Sequence, residues 1–238
     1  MSDIASYGER VLTVTRVLVH YGLIRGFGHV SARLPDGDKF IINGHIHGSE
    51  KTMEAMTIDD LVVVDLAGKQ VSGKLEMPEE RFIHSCIYKA RDDIGGAIHF
   101  HPTYSTVLSI AGKHVLPVFM SALLFAPKVP MVDDPNLVDT EARGQAVAKA
   151  MGDSLAAVLR GHGSVSAGRT PEEAGAVALM LEETARMQLL AASVGEPRAV
   201  SLAEMDSDFV KNIPQRQGLQ SVWNYCVSHA RKAAAQKS

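Results

Sequence analysis

Residues 25–44 read RGFGHVSARLPDGDKFIING. Val30, Ala32 and Leu34 alternate with polar neighbours, Pro35-Asp36-Gly37 turns the chain, and Phe40, Ile41 and Ile42 resume the apolar run. Alternation on both sides of such a turn predicts a β-hairpin. Before it, Val11, Leu12, Val14, Val17, Leu18 and Tyr21 fall at helical spacing over Ile4 to Tyr21, with Gly22 as a stop. After it, Leu61 to Leu66 (LVVVDL) predicts a strand closed by the turn Ala67-Gly68-Lys69. Pro78 opens a helix running to about Arg91, at a position where its missing N–H matters little. A strand over Ile94 to Phe100 follows, then a helix over Pro102 to Ile110 stopped by Gly112. Leu137 to Met151 predicts a helix and Ala156 to Leu159 a strand. Thr170-Pro171-Glu172-Glu173 starts a helix that reaches about Ser193, and a C-terminal helix holds Trp223. Hairpins early and strand–helix units later predict one α/β domain with a mixed sheet and helices on both faces. Without a linker, repeat or low-complexity tract, residues 1–238 are expected to form that one domain, with a core over about 5–195 and a helical extension over 200–238.

Composition narrows the function. The chain has 238 residues, 46% hydrophobic and 21% charged, which suits a packed core. A net charge of -3, from 24 basic and 27 acidic residues, lacks the basic footprint of a nucleic-acid binder. No run of about 18 apolar residues exists, so no membrane span is expected. The polar start MSDIASYGER has no apolar signal stretch, and a cytoplasmic location is expected. Cys86 and Cys226 read as ordinary buried thiols. Ten histidines stand out.

His99 and His101 sit in GAIHFHP. Side chains at i and i+2 of a strand share a face, so two imidazoles emerge together before Pro102, able to chelate one ion. Two structural histidines that merely alternate would read the same way. His162, between Gly161 and Gly163, follows an apolar strand, and sites of α/β sheets gather at strand ends. Glu80 and His84 are four apart and share a helix face. An exposed acidic first turn of Glu76, Glu79 and Glu80 accounts for that segment equally well. His45 and His47 repeat the i, i+2 pattern in a segment that reads as a loop. His20, His114 and His229 suggest no partner.

Four features in order, GHVS (28–31), PEERFIH (78–84), HFHP (99–102) and RGHG (160–163), resemble the class II aldolase and adducin head family over about residues 5–195. The resemblance implies a three-layer α/β/α fold around a mixed, mainly antiparallel sheet. It implies a homotetramer with active sites at subunit interfaces, to which Tyr104, Phe125, Trp223 or Tyr225 of a neighbouring chain are candidate contributors, with core packing as the first expectation for each. It implies one divalent metal ion per chain, zinc or manganese before iron or cobalt, held by His99, His101 and His162. Glu80 matches the family's catalytic carboxylate, which also ligates the metal at rest. His84 is a second candidate for proton transfer.

The departures from the sugar-phosphate aldolases carry the substrate reading. Those enzymes hold a phosphate with an Asn after the first Gly, a serine pair before the Glu and a Thr-Gly loop. Here His29 replaces the Asn, Pro78 and Glu79 replace the serines, and no Thr-Gly loop is recognisable in IINGHIHGSEK (41–51). A carboxylate in place of hydroxyl donors repels a phosphate dianion. GHVSAR (28–33) instead resembles the family's decarboxylases of hydroxylated aromatic and pyridine carboxylates. The expected activity is metal-dependent decarboxylation of a small, non-phosphorylated hydroxyaromatic carboxylate. His29 is expected as a potentially cationic donor to substrate, with Ser31, Glu79 and Arg81 as further substrate contacts; Arg81 reads first as an exposed helix residue and second as a contact for another carboxylate. The alternatives are an aldolase of a non-phosphorylated hydroxy-keto acid or sugar, and a silent adducin-like scaffold.

Overall fold

The computed structural model describes residues 2–46, 48–204 and 217–236. Its centre is a sheet of eight strands: β1 (His29–Arg33), β2 (Lys39–Asn43), β3 (Leu61–Asp65), β4 (Gln70–Ser72), β5 (Gly96–Phe100), β6 (Met131–Val132), β7 (Ala156–Leu159) and β8 (Gly163–Gly168). Their spatial order is β4-β3-β2-β1-β5-β8-β7-β6. Every neighbouring pair is antiparallel except β6 with β7. The helices are α1 (Ser2–His20), α2 (Arg81–Ala90), α3 (Thr103–Ile110), α4 (Glu141–Met151), α5 (Pro171–Ala192) and α6 (Gln217–Ala235). None of the described helices is long and apolar enough to cross a membrane.

Strand parity sorts the two cores. Val30, Ala32, Ile98 and Phe100 pack with α1, α5 and α6 residues such as Leu18, Val177 and Trp223. Ala97, Val165 and Ala167, on the opposite face, pack with Ile83, Ile87 and Tyr88 of α2 and Val147 and Met151 of α4. The fold is therefore mixed α/β in three layers, as expected. Burying one such large side chain contributes about 1.5–3 kcal/mol. Phe125 and Trp223 belong to the first core, whereas Tyr104 and Tyr225 are exposed.

The predicted hairpin is β1–β2, and Thr170 caps α5 by accepting from the Glu173 N–H at 3.1 Å. Two predicted helix starts move. Residues 137–140 precede α4, whose cap is Thr140, extended at φ -122° and accepting from the Arg143 N–H. Likewise α2 begins at Arg81, not Pro78, and Glu80 is its cap residue without a side-chain capping bond. The acidic first turn is therefore absent, and Glu80 and His84 are not two rungs of one helix face: the Glu80 carboxylate bonds elsewhere. Strand β8 was not predicted. Its sequence, GSVSAG, lacks the β-branched run that marks strands, and it is recruited by β5 and β7 on its two sides.

Candidate metal centre

The site lies at the end of β5, on the α2/α4 side. In the β1–β5 ladder His29 stands directly opposite His99, and in the β5–β8 ladder Phe100 stands opposite Ser164. The β7–β8 turn therefore brings His162 to the end of β5. That turn needs its glycines. Gly161 takes φ +67°, and a Cβ on Gly163 would lie 2.6 Å from the Phe100 carbonyl and 3.0 Å from the His101 ring.

One ring nitrogen from each of His99, His101 and His162 lies within 4.8 Å of the others. The His99 and His101 ring centroids are 4.7 Å apart, and His99 and His162 are 4.9 Å apart. His99 donates from Nδ1 to the Ser164 carbonyl at 3.1 Å, which fixes its tautomer and aims Nε2 inward. Glu80 Oε2 faces that Nε2 at 3.2 Å, Glu80 Oε1 is 3.5 Å from His162 Nε2, and the Val138 N–H donates to Oε1 at 3.1 Å.

The charge state suits a cation. Burial alone would raise the Glu80 carboxyl. The His99 imidazole, the Val138 N–H and His162 outweigh burial and hold it well below the usual carboxylate range. Burial, then His99 and His162, push His101 down to about 4, and burial, then His99, lower His162. His101 and His162 are thus neutral near pH 7, as ligands must be. His99 Nε2, His101 Nδ1 and His162 Nδ1 are buried without a hydrogen-bond partner. Such orphans cost about 1–3 kcal/mol each. His99 Nε2 and the Glu80 oxygen 3.2 Å from it both face the space between the three rings, where one cation would meet them. Three imidazoles and one carboxylate are a donor set that divalent zinc, manganese and iron accept.

A cavity of about 200 Å³ opens beside the triad. Phe27, Ile46, Met53, Pro78 and Leu137 give it apolar walls, and His29, His45, Glu79, Glu80, His101 and His162 supply its polar groups. Phe27 meets His101 edge-on, with centroids 6.2 Å apart.

The sequence-based site residues divide into two sets. His29, Glu79, Glu80, His101 and His162 line the cavity, and His99 stands with His101 and His162 in the triad beside it. Ser31, His84 and Arg81 do not line it. Ser31 and His84 are fully buried behind β1, bonded to each other at 2.7 Å. Arg81 turns away, donating to the Gly68 carbonyl at 2.7 Å and the Glu79 carbonyl at 3.1 Å while its guanidinium covers the Phe82 ring. The expected contact of Arg81 with a second carboxylate has no support in this geometry. His29 is neutral, not cationic: burial and the neighbouring His99 and His84 lower it well below its ordinary range. His45 joins the cavity wall, while His47 lies outside the described residues. The Val138 N–H and the Ser164 carbonyl, which orient Glu80 and His99, are backbone groups with no signature in the sequence.

Comparison with known proteins places the chain among sequence relatives and fold neighbours. The chain is 27% identical over 232 residues to the 3,4-dihydroxyphthalate decarboxylase of Arthrobacter keyseri, covering 91% of each protein. It is 30% identical over 210 residues to the protein of the same name from Terrabacter sp. (strain DBF63), covering 84% of this chain and 87% of that one. The L-fuculose 1-phosphate aldolase structure from Glaciozyma antarctica PI12 shares the fold, with a TM-score of 0.81, 24% identity, and coverage of 98% of this chain and 91% of that one. Residues 9–189 match the family described as Class II Aldolase and Adducin N-terminal domain, and the chain belongs to that family.

Proposed function

We propose that this protein is a divalent-metal-dependent decarboxylase of a non-phosphorylated, hydroxylated aromatic or heteroaromatic carboxylic acid. The observation that carries the reading is the cavity wall. Among the described residues that line it there is no Lys, Arg, Ser or Thr to receive a phosphate dianion, and Glu79 would repel one. The apolar walls suit a flat ring. An engineered cavity of about 150 Å³ holds benzene, so about 200 Å³ admits a ring with small substituents. The names of the decarboxylase relatives point the same way.

His99, His101, His162 and Glu80 would hold the ion, zinc or manganese in the first instance. Bound there, it supplies Lewis-acid stabilisation of negative charge developing on a substrate oxygen. Glu80 performs the proton work. Its carboxylate takes the proton of the substrate hydroxyl at Oε2. As the C–C bond breaks, CO2 leaves, its bonding pair stays on the ring carbon, and that carbon receives the proton held by Glu80. The Val138 N–H keeps Oε1 in place throughout. His29 and Glu79 contact the ring substituents.

We further propose assembly as a homotetramer. Tyr104, Val107 and Ile110 form an exposed row on α3, three residues after His101 and onward, which suits a subunit contact near the site. The deciding experiment assays CO2 and aldehyde release by metal-loaded protein from a panel of ortho-hydroxy aromatic acids and hydroxy-keto acids. CO2 from an aromatic acid is expected. Aldehyde from a keto acid would make the protein an aldolase, and a purified chain that takes up no metal would make it a scaffold.

A further inference from the structure

Behind the cavity wall, between β1, β5 and α2, lies a line of buried polar groups that the proton path through Glu80 leaves unused. Ser31 Oγ has three neighbours: His84 Nδ1 at 2.7 Å, Tyr88 Oη at 2.7 Å and the Ala97 carbonyl at 3.2 Å. A hydroxyl has one proton to give and two lone pairs to receive. The carbonyl only accepts. All three contacts are hydrogen bonds in one arrangement alone: Ser31 donates to Ala97, Tyr88 donates to Ser31, and His84 donates to Ser31 from Nδ1.

Burial raises the Tyr88 phenol, so Tyr88 has its proton to donate. Burial, then His99, pushes His84 down to about 3, so its neutral ring carries one proton. With that proton on Nδ1, Nε2 is a bare lone pair, and it is buried with no hydrogen-bond partner. His29 has the complementary gap. Its Nδ1 is also buried without a partner, and its ring stands 5.9 Å from that of His84 at 69°. Each orphan alone is destabilising, because a buried polar atom has left water without a replacement partner. A proton on His29 Nδ1, donated to a trapped water that in turn donates to His84 Nε2, satisfies both.

We infer that Tyr88, Ser31 and His84 set the tautomer of His29, placing its proton on Nδ1 and leaving a bare Nε2 toward the cavity. His29 then accepts a hydrogen bond, and the substrate group it reads is a hydroxyl rather than a carboxylate. His84 is a positioning residue acting through His29. The identity of the substrate group rests on the decarboxylase reading; the location of the ring protons does not.

Solid-state ¹⁵N spectra of the full chain, labelled in histidine and loaded with zinc, test the inference. Signals are assigned by their loss in His84→Gln and His29→Asn. Both rings are expected to be protonated on Nδ1, and His29 is expected to lose that preference in His84→Leu and in Ser31→Ala. If His84→Leu does not fold, Ser31→Ala and Tyr88→Phe carry the same readout. A proton on His84 Nε2, or a His29 signal indifferent to these changes, overturns the proposal. In turnover, His84→Leu should lower kcat about tenfold, the size of a coupled pair, with KM nearly unchanged. It should add nothing in a His29→Asn background. His84→Gln, whose amide both donates and accepts, should recover most of the loss. Losses that multiply in the double variant would show that His84 does not act through His29. Should no acid on the panel release CO2, the spectra still decide the proton positions and only the decarboxylase reading falls.

Discussion

His101 and His45 both line the cavity, and each belongs to an H-x-H stretch of the sequence. His99 and His101 end β5, a strand hydrogen-bonded to β1 on one side and β8 on the other. His45 follows the end of β2, in a segment tied to the rest of the chain by the His45 N–H donating to the Glu76 carbonyl. The β5 pair meets a third imidazole and a carboxylate, while His45 lines the cavity wall. The contrast teaches that imidazoles converge where the backbone carrying them is fixed from both sides. A central strand sets the direction of successive side chains, and the Ser164 carbonyl then sets the ring.

Breaking the β5 pair should have the largest effect. His99→Ala is expected to lower metal affinity by more than about 100-fold and to abolish turnover, as read by metal content after dialysis and by CO2 release. Retention of one equivalent of metal by that variant would dissolve the contrast. Glu80→Gln should leave much of the metal bound yet reduce kcat by roughly 10²–10⁴-fold. Full activity in Glu80→Gln would move the proton work to another group.

His84 sharpens the comparison, being buried beside the centre without being part of it. Its folded ring is held down to about 3 by burial and then by His99, whereas the unfolded chain protonates it near ~6.5. Below that value the unfolded state binds a proton that the folded state refuses. Stability therefore falls as pH drops from about 6.5 toward about 3, by up to about 1.4 kcal/mol per pH unit from this residue. Thermal melts across that range should follow this slope, and a His84→Gln variant should flatten it. An unchanged slope in His84→Gln would place the acid sensitivity elsewhere. The smallest effect belongs to His45→Ala, expected to keep the metal and change kcat/KM by less than about threefold, the scale of a peripheral substitution. A loss of metal from that variant would put His45 in the centre and erase the distinction between the pairs.

Much of this arrangement was legible in the chain. The hairpin at residues 25–44 carries its own turn, the HFHP segment carries its own strand period, and Thr170-Pro171-Glu172-Glu173 carries its own helix cap. Each is a local signal, written within a few residues. Glu80 was legible as a chemical group but not in its place. Its neighbours read as an acidic helix start, while the folded chain puts it just ahead of α2, with its carboxylate accepting from the Val138 N–H beside two imidazoles. Ser31 and Arg81 were placed at the substrate because their motifs adjoin it; one is buried against α2 and the other is drawn to the Gly68 carbonyl.

The sequence by itself determined the local conformations and the inventory of imidazoles and carboxylates, since caps, turns and strand periodicity act over a few residues. Tertiary structure alone decided that β8, poor in strand-forming residues, pairs with β5. It also decided that His162 thereby reaches His99 and His101, and that a backbone N–H from residue 138 meets Glu80. Those contacts join segments dozens of residues apart. Their partners are backbone groups and shared neighbours, which carry no residue-type signal and acquire direction only when the layers pack.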